Sequence, residues 1–131
     1  TLPSKNMIYA IKIEGEFSYI KTRSVPKQES YKLLVEVARN QPEFSYKNIS
    51  GSMVGFWTPD FMDKITVPGY HLHFLSKNLE LGGHLLDCQT KKIKISIQHV
   101  ARVELSLPIT LDFMTTDLSR DITKDLNEAE N

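Results

Sequence analysis

The sequence has little that would tie it together by covalent bonds or carry it to a charged surface. It holds one cysteine, Cys88, so no disulfide framework can form within the chain, and a lone thiol fits a reducing, cytoplasmic setting. An excess of one charge is also missing: 16 Lys and Arg stand against 16 Asp and Glu. That balance excludes the strong field that draws a protein to nucleic acid or to an anionic membrane, and it leaves open a small ligand held by a few placed charges. No apolar run approaches the roughly 18–20 residues that cross a bilayer as a helix. The opening "TLPSKNMIYAIKI" has neither an initiator methionine nor a signal-peptide pattern. It moves almost at once into a strand-like alternation, as expected of a piece of a longer protein. There are no internal repeats or low-complexity linkers.

What is present is a chain of 131 residues, 40% of them hydrophobic, enough for one domain with a real core. "MIYAIKIEGEFSYIKTRSV" reads as two strands joined at Glu14-Gly15-Glu16, with Met7, Tyr9, Ile11 and Ile13 as the core side of the first. In the next stretch Leu33, Leu34, Val37 and Ala38 recur at helical spacing, predicting a short amphipathic helix that ends before Pro42. Strand chemistry returns in "FSYKNISGSMVGFWTPDFM", where Gly51 and Gly55 permit bends or close backbone approach. Pro59 and Pro68 bracket an irregular connection. Beyond it, Tyr70–Ser76 reads as a strand, Lys77–Gly83 as a turn and His84–Cys88 as the antiparallel partner. A further alternation follows, with Ile93, Ile95 and Ile97 on one side. From Asp112 the chain is acidic and polar, with one or two helical turns near Ile122–Leu126. The expected class is α+β: a β-rich domain, either a small mixed sheet or a partly closed barrel, with one or two short helices.

Three of the four histidines fall in "VPGYHLHFLSKNLELGGHLLD". Residues two apart on a strand share a face, with Cα atoms roughly 6.5 Å apart. His71 and His73 therefore present two imidazoles side by side, and a hairpin returning through Gly82-Gly83 would bring His84 to the same neighbourhood. A single histidine is more often a satisfied core or surface residue. Three on one hairpin favour a metal ion, and with three protein ligands the site keeps a position open, as a catalytic zinc does. His99, in "SIQHVAR", has no such company and reads as structural or exposed. Two alternatives stand beside the zinc enzyme. One is a cupin-like metalloenzyme, which also uses H-x-H pairs. The other is a non-catalytic metal-binding or dimerising module with a closed four-ligand site. For the latter, Cys88 is the candidate fourth ligand; on a regular strand it shares the face of His84 but lies about 13 Å along it, and it is discounted for that distance.

The stretches "YAIKIEGEFSYIKTRSVPKQE", "GSMVGFWTPDFM", "VPGYHLHFLSKNLELGGHLLD" and "LPITLDF" together resemble the C-terminal domain of the acetolactate decarboxylases, which convert 2-acetolactate to acetoin and CO2. The resemblance implies zinc as the cofactor, with His71, His73 and His84 as its ligands. It implies Arg23, in "KTRSV", as an active-site arginine; a guanidinium can hold a carboxylate through two parallel hydrogen bonds, although without the resemblance Arg23 would pass for a surface residue. It also implies Glu130, in "KDLNEAEN", as an active-site glutamate, or Glu128 if the alignment slips by two. Members of that family are roughly twice as long, and their N-terminal half carries another glutamate. Residues 1–131 are thus expected to be the C-terminal zinc-binding domain, with the missing half as partner, 2-acetolactate as substrate and a homodimer as the assembly. A sheet edge left exposed would offer itself to another chain.

Overall fold

A computed structural model describes residues 2–24 and 41–119 of the chain. The expected helix over Leu33–Ala38, the helical turns near Ile122–Leu126, and Glu128 and Glu130 lie outside the described residues. Four strands account for most of the rest: β1 (Ile8–Arg23), β2 (Glu43–Thr58), β3 (Gly69–Ser76) and β4 (Gly82–Val100). They close into a barrel in the order β1-β2-β3-β4, and all the pairings are antiparallel. Of the two sheet forms expected, the barrel holds. The stretch between Pro59 and Pro68 is irregular as anticipated, with one 3-10 turn at Asp60–Met62. A five-residue helix, α1 (Leu111–Thr115), is capped by the Thr110 hydroxyl, which accepts from the Phe113 N–H. The sequence reading did not anticipate it.

The inward side chains form two adjoining clusters. Tyr9, Ile11 and Leu72 make one, and Phe17, Ile20, Met53 and Phe74 the other. The Phe17 and Phe74 rings meet edge to face at 5.9 Å, a favoured aromatic geometry. Each such side chain removed from water stabilises the fold by about 1.5–3 kcal/mol. The face of Met7, Tyr9, Ile11 and Ile13 is the core side, as the alternation indicates.

Glu14-Gly15-Glu16 is not a turn. β1 runs straight through it, pairing with β2 on one side and β4 on the other. Gly15 has φ +147°, and a Cβ there would stand 2.1 Å from the Lys92 carbonyl oxygen, so the glycine serves a close strand-to-strand approach rather than a reversal. The same correction applies at the other end. His84–Cys88 and the following alternation are one 19-residue strand, and the turn before it is shorter than predicted, since Gly82 and Gly83 already belong to β4.

Candidate metal centre

The barrel's narrowest seam builds the site. β3 meets β4 through three pairs only: His73 with His84, Phe74 with Gly83, and Leu75 with Gly82. The connecting turn is fixed by Ser76, whose N–H donates to the Leu81 carbonyl while its hydroxyl accepts from the Leu81 N–H and donates to Asn78 Oδ1. Gly83, at φ +147°, packs where a Cβ would lie 2.6 Å from the Arg23 carbonyl oxygen. β4 therefore runs this close to β1 only with glycine beside His84.

His71 and His73 alternate with the buried Leu72 and Phe74, so they project from the barrel's outer face. Directly opposed residues of an antiparallel pair share a face, their Cβ atoms about 4.5–5.5 Å apart. His84, opposite His73, joins them there. The ligand atoms of the three histidines lie within 4.8 Å of one another, and the Nε2 atoms of His71 and His73 are 3.3 Å apart. Two nitrogens bound tetrahedrally at about 2.05 Å to one zinc ion would be separated by about 3.3 Å. The donor set, the His71–His73 separation and the partial exposure thus suit a single ion with a coordination position left over.

Arg23 stands opposite His84 on β1, so Arg23, His84 and His73 form one row across three adjacent strands. Arg23 is 8% exposed and is not the surface residue that its sequence context alone would suggest. Cys88 is excluded from this group for a reason the sequence did not reveal. A register shift leaves Leu86 without an opposite residue, since Thr22 pairs with Leu85 and Lys21 with Asp87. The bulge reverses the alternation beyond it, so Cys88 does not share the face of His84, as a regular strand would have it. It packs inward against the Phe17, Ile20, Met53 and Phe74 cluster. Burial, and secondarily the Asp87 carboxylate, push its thiol above the ordinary range, the opposite of what a metal-ligating thiolate needs. His99 is exposed, its ring tilted against Tyr9 at 5.1 Å.

A groove of about 680 Å³ adjoins the histidines, lined by His71 and His73, by Val54 and Phe56 of β2, by Ala10 and Lys12 of β1 and by Ser96 and Gln98 of β4. Neither Val54 nor Phe56 drew attention as sequence. Their place beside the histidines follows from β2–β3 pairing, which no local motif announces.

Residues 1–120 match the family model described as alpha-acetolactate decarboxylase. Proteins named alpha-acetolactate decarboxylase from Methanosarcina mazei and Methylococcus capsulatus are 41% and 42% identical over 130 and 131 residues, covering 98% and 99% of this chain but 45% and 50% of their own length. The crystal structure of alpha-acetolactate decarboxylase from Bacillus subtilis strain 168 superposes with a TM-score of 0.90 at 37% identity, over 99% of this chain and 56% of that one. The chain spans about half the length of the relatives it matches.

Proposed function

The chain belongs to the alpha-acetolactate decarboxylase family, and from that premise we propose that it is the C-terminal, zinc-binding domain of an enzyme that decarboxylates 2-acetolactate to acetoin and CO2. The observation that carries this reading is the convergence of His71, His73 and His84, whose ligand atoms lie within 4.8 Å of one another, in a chain so closely related to these enzymes. His71, His73 and His84 would hold the ion and leave it open to substrate. Zinc would supply Lewis-acid stabilisation of the charge that develops on the ketone oxygen as CO2 leaves. Arg23, in register with His84, would hold the carboxylate so that the breaking bond is aligned. A carboxylic acid must then return a proton to the carbon that lost CO2, a role we assign to Glu130 or to a glutamate of the remaining half. The cupin-like and closed-site alternatives lose ground: Cys88 faces the core, and no fourth side chain joins the histidine group among the described residues.

The rest of the same enzyme is the proposed partner. Past β4 the chain presents Val103, Leu105, Leu107 and Ile109 in strict alternation, exposed by 53% to 90%, a stripe suited to packing against further polypeptide. Beyond His84, β4 pairs on one side only among the described residues, which supports a second copy as another partner. The proposed setting is the cytoplasm.

Acetoin formation from 2-acetolactate by the metal-loaded chain, alone and with the separately expressed remainder, tests the reading. Full activity is expected only with both parts, and Arg23→Lys is expected to lower it on the order of 100-fold with metal retained. Near-normal turnover by that variant would remove Arg23 from the carboxylate site.

A further inference from the structure

We propose that Val54 and Phe56 form the wall that selects the alkyl group of a tertiary 2-hydroxy acid held at the histidine centre, an inference that rests on the function proposed above. Around the barrel's outer face the register places Arg23 on β1, His84 on β4, His73 on β3 and Val54 on β2 in a single row. Phe56 stands opposite His71 one step along. Neighbouring strands lie about 4.8 Å apart, so the histidines have a guanidinium on one flank and two apolar side chains on the other.

A tertiary 2-hydroxy acid has the same division. Its carboxylate belongs on the arginine side and its oxygens at the centre, which leaves its alkyl substituent for the opposite flank. That flank opens into the groove along Ala10, Val54 and Phe56. Val54 and Phe56 are 52% and 50% exposed, so each has apolar surface to give up to a ligand. Lys12 stands opposite Val54 and is the one lysine or arginine lining the groove among the described residues; it pairs with Glu14 at 2.8 Å. The wall therefore offers contact area to carbon. A pocket built this way grades its ligands by methylene count.

The test uses three unreactive probes that lengthen one alkyl arm: 2-hydroxy-2-methylpropanoate, 2-hydroxy-2-methylbutanoate and 2-hydroxy-2-methylpentanoate, titrated calorimetrically into the zinc-loaded chain. Affinity is expected to rise about fourfold with each added methylene. In the Val54→Ser/Phe56→Ser variant the rise is expected to shrink towards onefold while zinc content stays the same. Equal affinities in the native chain, or a fourfold rise that survives the double substitution, would overturn the assignment. Binding of none of the probes with zinc retained would instead overturn the carboxylate-site reading beneath it, and is recognisable because no ratio of affinities then exists.

Discussion

At the scale of single residues, the histidines divide by company rather than by type. His71, His73 and His84 converge on one another, while His99 leans on Tyr9. Removing an outer partner of a metal ligand costs about 10–100-fold in affinity, so His73→Ala, which removes a proposed ligand itself, is expected to lower zinc affinity by at least that much. His99→Ala should leave it unchanged, and competition with a chromophoric chelator measures both. Retained affinity in the His73 variant would take that residue out of the ligand set. These residues were legible because spacing of two on a strand is a local property. Arg23 was not legible in that way. Its burial and its place opposite His84 depend on a pairing between segments some 60 positions apart, and only resemblance singled it out. The face of Cys88 was misread because a single unpaired residue, Leu86, inverts the alternation.

At the scale of elements, the site depends on how β4 begins. Gly83 has a positive φ and no room for a Cβ beside the Arg23 carbonyl, whereas Gly69, also at positive φ, has nothing within 4 Å. Gly83→Ala is expected to destabilise the chain by about 1–3 kcal/mol from backbone strain, with a further cost from the contact, and to weaken metal binding because His84 is the next residue. Gly69→Ala should show the strain alone and leave the metal site intact. Denaturant unfolding with and without zinc measures both effects, and equal metal affinity in the two variants would contradict the account. The hairpin between β3 and β4 was readable from its turn residues and flanking alternation. The reversal expected at Glu14-Gly15-Glu16 was not a turn, since a glycine in a polar triplet marks close strand packing as readily as a bend. The pairing of β1 with β4 decided between the two.

At the scale of the whole molecule, the barrel buries two apolar clusters but keeps apolar surface beyond them. Ile95 and Ile97 on β4 and Val103 beyond it are about half exposed, and Leu105, Leu107 and Ile109 are more so. With the relatives about twice as long, the remaining half is the proposed cover. Amides of residues 101–110 are expected to exchange rapidly with solvent deuterium in the chain alone and at least tenfold more slowly once that half is added. Unchanged exchange would place the interface elsewhere.

The claim on which the rest depends is that the β3–β4 seam holds one metal ion. Elemental analysis of the purified chain after zinc loading and dialysis tests it directly. The account predicts about one zinc per chain, the stoichiometry of a single three-histidine site, and its loss when the three histidines are replaced. A chain that remains folded by circular dichroism yet retains no zinc would contradict it.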